Sequence, residues 1–160
     1  MADEPEKRWE YDAVEPGGAP SHPKETPITP ESISAYASRV RNPNPAYREL
    51  KDGMLAMPTQ VFAAARVRRG DIAAANGYVA LEWVKENSRQ TPFAKCKFRW
   101  FAPMRAGDTI TSSGYVLEKY ERRGNRFVTF RVEAINQHGV KVAEYDYTSI
   151  FEYGRGQKRR

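Results

Sequence analysis

The spacing of apolar residues changes once along the chain, near residue 93. Before that point, apolar residues recur every three or four positions in several stretches, which is typical of helices with one buried face. From Phe93 onward, apolar and polar residues alternate, as in strands that bury one side. The change predicts a few helices followed by consecutive antiparallel strands, which is an α+β domain.

Three helices are predicted before the change. The first, TPESISAYASRV, has Thr29 as a candidate N-cap and a proline at the first helical position. Its apolar residues Ile33, Tyr36, Ala37 and Val40 are expected to share one face. The second begins at Pro58 and Thr59 and runs through QVFAAARVRR, with Val61, Phe62, Ala64 and Ala65 directed inward. The segment VALEWVKEN regains helical spacing and predicts a third, short helix.

Four strands are predicted after the change, in FAKCKFRWF, TITSSGYVLEKY, RFVTFRVEAI and VKVAEYDYTSIFEY. In the third, the alternation places Val128, Phe130, Val132 and Ala134 on one face. In the first, the corresponding face carries Ala94, Cys96, Phe98 and Trp100. A sheet with one apolar face needs a covering element, and the alanine-rich second helix is the expected cover.

The domain is expected to occupy residues 29–153. Residues 1–28 are predicted to be an extended lead-in, because the stretch EPGGAPSHPKETPITP contains five prolines and two glycines and such a composition disfavours regular structure. The basic residues 154–160 are predicted to form a disordered tail. A length of 160 residues fits a single domain.

Composition narrows the function classes only a little. The net charge of +6 favours anionic partners without choosing among them. A single cysteine excludes an internal disulfide and suits a reducing compartment, and two histidines argue against a metal site. There is no apolar run of 18 residues and the chain starts with polar residues, so we expect a cytoplasmic protein that does not bind a membrane. The strand aromatics form no RNA-binding signature, so no nucleic-acid partner is expected.

Two motifs resemble those of a known family. The segment NPNPAY, residues 42–47, is similar to the motif G-D-x-N-P-x-H of the MaoC-like or FAS1-like (R)-specific enoyl-thioester hydratases and dehydratases, and PMRAGDT is similar to their strand-ending P-x-x-x-G-D-T. The resemblance covers roughly residues 28–153. It implies a single hotdog domain, in which an antiparallel sheet wraps around a central helix.

The resemblance also places substituted residues at the catalytic positions. In that family an aspartate and a histidine act on water and on the α-carbon of a thioester-bound acyl chain. Asn42 stands at the aspartate position and Tyr47 at the histidine position, while Asn44 and Pro45 match the motif. An amide has no proton to exchange near neutral pH. A phenol shifted from pKa 10 to pKa 7 needs about 4 kcal/mol of stabilisation, so we expect little activity from this pair alone.

Further substrate-binding residues follow from the resemblance. The segment MPTQ is similar to the A-P-P-T of FAS1-type dehydratases, which implies that Pro58, Thr59 and Gln60 lie at the thioester oxygen; alternatively, Thr59 simply caps a helix. Asn44 is assigned to the same site. Arg66 and Arg69 suit the phosphates of coenzyme A, or are solvated surface charges. No cofactor is implied other than coenzyme A as part of the substrate.

The preferred interpretation is a MaoC-like hotdog subunit of an enoyl-CoA hydratase or acyl dehydratase, which forms an acyl-CoA channel with a catalytic hotdog partner. Two alternatives stay open. One is a homodimeric acyl-thioester-binding protein without catalysis. The other is a hotdog thioesterase that uses a lone carboxylate, with Glu49, Asp52 or Asp71 as candidates. His22 and His138 are expected to be exposed, in the lead-in and in a hairpin turn.

Overall fold

Five antiparallel strands form one sheet in the computed structural model, which describes residues 5–155. The strands are β1 (Lys24–Pro27), β2 (Phe93–Trp100), β3 (Thr109–Arg122), β4 (Asn125–Ile135) and β5 (Lys141–Glu152). They lie in the order β1-β3-β4-β5-β2, so β1 and β2 are the two edges. The α+β prediction and all four predicted strands are confirmed. Most of the predicted tail lies outside the described residues.

Helix α1 (Pro30–Arg39) forms for the local reasons that the sequence indicates. The Thr29 side chain accepts a hydrogen bond from the Ser32 amide, and the Ser32 side chain accepts one from the Thr29 amide, which completes a capping box. Ile33 and Ala37 are buried as predicted. Val40, expected on the same face, is exposed at the C-cap, because the chain turns away there towards the proline-containing loop.

The second predicted helix is interrupted. A 3-10 turn at Pro58–Gln60 leads into α2 (Val61–Ala64), and α3 (Arg69–Ala75) follows after a break. The Tyr145 hydroxyl donates a hydrogen bond of 2.5 Å to the Ala65 carbonyl, which therefore accepts from a side chain at the point where the helix ends. Phe62 was predicted to be buried but is 41% exposed; its ring does lie over the sheet, with centroids 5.9 Å from Phe98 and 5.3 Å from Tyr145.

The helix predicted in VALEWVKEN is wrong; the segment is a series of turns. Instead, backbone groups of this segment form hydrogen bonds with the N-terminal segment. The Trp9 amide donates to the Val79 carbonyl, and the Val79 amide donates to the Lys7 carbonyl. The Arg8 guanidinium donates to the carbonyls of Glu86 and Asn87. These long-range hydrogen bonds replace the ones that a helix would have made.

The structure starts earlier than the expected boundary at residue 29. Within the predicted lead-in, β1 pairs with β3, and Trp9 is only 2% exposed. The Trp9 ring packs against Phe130 and Phe151, with centroids 5.9 and 6.1 Å away. Composition indicated an extended chain here, but an extended chain can still add a strand and a core residue.

The apolar core consists of two neighbouring clusters on the same face of the sheet. The first contains Ile33, Val61 and Val132, so it lies under α1 and α2. The second contains Trp9 and Phe130 together with residues of α3. The cover of the sheet is therefore shared between the helices and the N-terminal segment. Within residues 5–155, no helix is long and apolar enough to cross a membrane.

The opposite face of the sheet carries alternating charges. Asp146 accepts two hydrogen bonds from Arg131, at 2.8 and 3.0 Å, and one from Arg99 at 3.2 Å. Glu144 accepts from Arg99 at 2.7 Å and from Lys141 at 3.0 Å. Partial burial raises the pKa of Asp146, but hydrogen bonds from the arginines outweigh burial and hold that pKa below its ordinary value. Burial also raises the pKa of Glu144, but hydrogen bonds from Lys141 and Arg99 outweigh burial and lower that pKa.

Acidification is predicted to weaken this charged face. A carboxyl whose pKa is lower in the folded state adds stability above its unfolded pKa, about 3.9 for Asp, and loses it as pH falls through the folded value. We expect Asp146→Asn to lower the free energy of unfolding by about 2 kcal/mol at pH 7 and to flatten its fall between pH 5 and pH 3. Urea titrations measure both, and Glu118→Gln, at an exposed carboxyl, is the control. Equal pH profiles for Asp146→Asn and the unmodified protein contradict the prediction.

The hydrogen bond from the Tyr145 hydroxyl is predicted to stabilise the backbone at the end of α2. Burial raises the pKa of Tyr145, so the phenol stays protonated and donates at neutral pH. Tyr145→Phe leaves the Ala65 carbonyl without this donor, and we expect a loss of about 1–3 kcal/mol in the free energy of unfolding. Tyr120→Phe, which keeps the ring that stacks on Phe127, is the control. A loss no larger than that of the control in urea denaturation argues against the role of the hydrogen bond.

Candidate functional site

The loop of residues 42–47 is shaped by its own asparagines. The Asn42 carboxamide oxygen accepts from the Asn44 amide at 3.0 Å, and its nitrogen lies 3.5 Å from the Met57 sulfur. The Asn44 carboxamide oxygen accepts from the Ala46 amide at 3.0 Å and caps the 3-10 turn Pro45–Tyr47. Asn44 is exposed, so in this structure it works as a turn residue. Asn42 connects the loop to the segment that leads into α2.

Tyr47 lines a pocket of about 560 Å³, here named the Tyr47 pocket. Its other walls come from the chain before α2, from α2 itself, from β5, and from the end of β2 and the loop that follows it. They are Leu55, Ala56, Pro58, Val61, Trp100, Phe101, Ala102, Pro103, Met104, Val142 and Ala143. The volume lies in the range of small-molecule sites, and nearly every wall is apolar.

The Tyr47 pocket offers few polar groups to a ligand. The Trp100 indole N–H already donates to the Pro58 carbonyl at 2.9 Å. Among the lining residues in the described part of the chain, Tyr47 is the only one with an ionisable side chain. The pocket therefore suits an apolar group, and it supplies a single hydroxyl for proton transfer.

Thr59 and Gln60, two of the residues predicted at the thioester oxygen, make hydrogen bonds within the chain. Thr59 makes no side-chain cap; its hydroxyl accepts a hydrogen bond from Tyr36 at 3.0 Å. The Gln60 amide donates to the Met57 carbonyl at 2.9 Å and so is already used within the 3-10 turn. The Gln60 side chain is buried, and its carboxamide oxygen has no hydrogen-bond partner within residues 5–155.

Arg66 and Arg69 lie together at a second pocket, of about 540 Å³, here named the Arg66 pocket. Arg69 is engaged inside the protein: its guanidinium donates to the Thr91 carbonyl at 2.7 Å and to the Ser149 hydroxyl at 3.2 Å, and lies 3.1 Å from a Glu82 carboxylate oxygen. Arg66 is exposed. The predicted site residues thus fall into two groups, with Tyr47 and Pro58 at one pocket and the arginines at the other.

The other candidate residues do not enter the Tyr47 pocket. Glu49 and Asp52 are exposed and line neither pocket, while Asp71 lies at the Arg66 pocket and pairs with Arg68 at 2.8 Å. His138 lies in the turn between β4 and β5, and His22 is exposed before β1. None of the three carboxylates is therefore placed to act on a ligand of the Tyr47 pocket.

The comparison with protein families gives one match over most of the chain. The model of the FAS1-like dehydratase domain region matches residues 17–145. The chain belongs to the FAS1-like dehydratase family. A search of curated proteins found no match.

Solved structures agree with the fold of this FAS1-like dehydratase chain. The HadBC complex, a (3R)-hydroxyacyl-ACP dehydratase from Mycobacterium tuberculosis, matches with a TM-score of 0.66, 20% identity, and 86% of this chain and 98% of that chain covered. The hydratase PhaJ1 from Pseudomonas aeruginosa matches with a TM-score of 0.61 and 19% identity, and the match covers 88% of this chain and 84% of that chain. The ChsH1–ChsH2 complex from M. tuberculosis matches with a TM-score of 0.64 and 13% identity, and the match covers 87% of each chain. The fold is thus the MaoC-like hotdog fold, and the predicted resemblance is confirmed.

Within this FAS1-like dehydratase chain, the sequence motifs missed Tyr36, Trp100 and Phe101. Helical spacing placed Tyr36 on the inner face of α1, but its hydroxyl reaches Thr59. Strand alternation placed Trp100 with the core, but β2 is an edge, so the ring lines a pocket instead. For Tyr36 and Trp100 the available signal was the polar tip of the side chain, because such a group usually has a hydrogen-bond partner when it is buried.

The Tyr47 pocket is predicted to bind neutral apolar molecules. Leu55 lines it and is 42% exposed, so Leu55→Glu adds a charge at the rim without disturbing the core. We expect this variant to weaken binding of the neutral dye Nile red at least about ten-fold, because a carboxylate next to an apolar ligand is poorly solvated. Leu50→Glu, at a leucine that is 56% exposed and does not line the pocket, is the matched control. Equal losses in a fluorescence titration place the dye elsewhere.

Proposed function

We propose that this chain is the acyl-binding subunit of an enoyl-thioester hydratase or dehydratase, and that a second hotdog subunit supplies the acid and the base. One observation carries the proposal: the Tyr47 pocket is large and apolar, and Tyr47 is its only ionisable lining residue in the described part of the chain. It is built to hold an acyl group and lacks a pair of groups that exchange protons.

The chemistry requires two proton-transfer groups. Addition of water to a conjugated double bond needs a base that takes a proton from water and an acid that delivers one to carbon. The Asn42 carboxamide does neither, and both of its polar atoms are already engaged, the oxygen with the Asn44 amide and the nitrogen with the Met57 sulfur. The Tyr47 hydroxyl is one group, so a second subunit has to complete the set.

The position of β2 at the edge of the sheet supports the presence of a partner. β2 is an edge of the sheet, and such an edge offers free backbone groups to another chain. Phe93, Trp100 and Phe101, on and next to β2, are exposed. Two of the similar structures, HadBC and ChsH1–ChsH2, are named as complexes. Trp100 and Phe101 also line the Tyr47 pocket, so a subunit that covers them also covers the acyl group.

The test combines this chain with a hotdog subunit that keeps an intact G-D-x-N-P-x-H motif, sought first among the proteins encoded by neighbouring genes. Hydration of crotonyl-CoA is followed by the loss of enoyl absorbance. We expect no hydration by the chain alone and a higher kcat/KM for the complex than for the partner alone. Leu55→Glu in the complex lowers kcat/KM about ten-fold or more, and Leu50→Glu does not.

Three results contradict the proposal. The first is ordinary enzymatic turnover by the isolated chain that stops in the Tyr47→Phe variant, because the phenol then acts without a partner. The second is a complex that forms but hydrates no faster than the partner alone. The third is release of free thiol from acyl-CoA by the isolated chain, which identifies a thioesterase.

A further inference from the structure

The Trp100 ring is the outer end of a row of stacked aromatic rings that starts in the core. Tyr145 is fully buried, and its ring stacks on Phe98 with centroids 4.9 Å apart and an angle of 26° between the ring planes. Phe98 in turn stacks on Trp100, with centroids 5.2 Å apart and an angle of only 9°. Trp100 is 48% exposed and lines the Tyr47 pocket. The row therefore ends at the pocket, with a half-exposed ring.

Two contacts fix the orientation of the Trp100 indole. Its N–H donates to the Pro58 carbonyl at 2.9 Å, and one of its faces is occupied by Phe98. Within residues 5–155, no second ring stacks on the indole, so its opposite face is open. A ring that is already held in place loses little freedom when a ligand covers it.

The rest of the Tyr47 pocket also suits an aromatic ring. Phe101, which is 57% exposed, adds a second aromatic wall next to Trp100. A buried apolar cavity of about 150 Å³ is large enough to bind benzene, so a pocket of about 560 Å³ has room for a ring together with the chain that carries it. The lining residues carry no Lys, Arg, Asp or Glu side chain, so the pocket favours a neutral ring.

We propose that the acyl group held in the Tyr47 pocket carries a flat aromatic ring, which stacks on the open face of Trp100. Trp100 is then the residue that determines acyl specificity. Stacked aromatic rings gain roughly two- to ten-fold in affinity beyond the burial of apolar area, whereas an aliphatic group of the same size gains from burial alone. The assignment of the ring to an acyl group rests on the proposed function, but the preference of the pocket for a ring does not.

The first experiment separates stacking from hydrophobic burial with two neutral ligands of equal carbon number. 5-Phenylpent-2-enoyl-pantetheine and 5-cyclohexylpent-2-enoyl-pantetheine are titrated separately into the isolated full-length chain by calorimetry. The cyclohexyl ligand has the larger apolar surface, so burial alone favours it. We expect the phenyl ligand to bind roughly three-fold or more tightly. A cyclohexyl ligand that binds as tightly as the phenyl ligand, or more tightly, overturns the inference.

Substitutions at Trp100 test whether this ring is the one that stacks. Trp100→Leu is expected to remove the preference for the phenyl ligand, and Trp100→Phe, which retains a flat ring, is expected to keep a preference. Trp83→Leu is the matched control, because Trp83 is 65% exposed and does not line the Tyr47 pocket. Circular dichroism checks that each variant folds.

Three results with these variants contradict the assignment to Trp100. The first is a preference that survives in folded Trp100→Leu. The second is an equal loss of preference in Trp83→Leu, which places the ring elsewhere. The third is a complete loss of preference in Trp100→Phe, and this result decides the assignment even if the leucine variant does not fold.

A second experiment, in the two-subunit complex, keeps the proposed function and the ring preference apart. Two methylene groups separate the reacting double bond from either ring, so both thioesters have the same intrinsic reactivity. We expect kcat/KM for hydration to be roughly three-fold or more higher for the phenyl substrate. Equal values contradict the inference and leave the proposed function standing. If neither substrate is hydrated but the isolated chain prefers the phenyl ligand, the proposed function fails and the ring site stands.

The complex also shows whether Trp100 contacts the partner instead of a ligand. Size-exclusion chromatography compares complex formation by the unmodified chain and by Trp100→Leu. We expect both to form the complex. If only the unmodified chain does, the open face of Trp100 is a subunit contact and the inference is wrong.

Discussion

The inner face of the sheet is wider than its central helix α2 can cover, so other parts of the chain have to cover the remainder. α2 has four residues, so it covers only the part of the sheet around Val132. The part around Phe130 is covered by α3 and by the N-terminal segment, with Trp9 at its centre. Because buried apolar area is the main source of stability, the N-terminal segment belongs to the fold as fully as the helix does.

Local signals in the sequence account for the elements that were predicted correctly. The four strands follow from alternation, and α1 follows from Thr29 and Pro30, which act over a few residues. The interruption after α2 and the irregular segment at residues 79–91 have other causes. Tyr145 reaches Ala65 from 80 positions away, and Arg8 reaches Glu86 from 78. Helical spacing carries no information about partners that distant.

In the candidate site, too, local sequence signals predicted some features, while features that depend on distant residues were missed. The motif at residues 42–47 located Tyr47, because two prolines and two asparagines shape that loop by themselves. It could not show that the pocket beside it is apolar, since most of the walls come from later segments. Arg69 was grouped with Arg66 by charge alone. Only the fold brings Glu82 and Ser149 to Arg69 and leaves Arg66 without a partner among residues 5–155.

Trp9 and Phe151 touch each other but lie on opposite sides of the family region, which spans residues 17–145. The two stretches that flank the shared domain are therefore joined through the interior. A chain trimmed to the family region loses both rings and leaves Phe130 beside an empty space. A fragment cut at the limits of the family region therefore lacks part of the core that this chain buries.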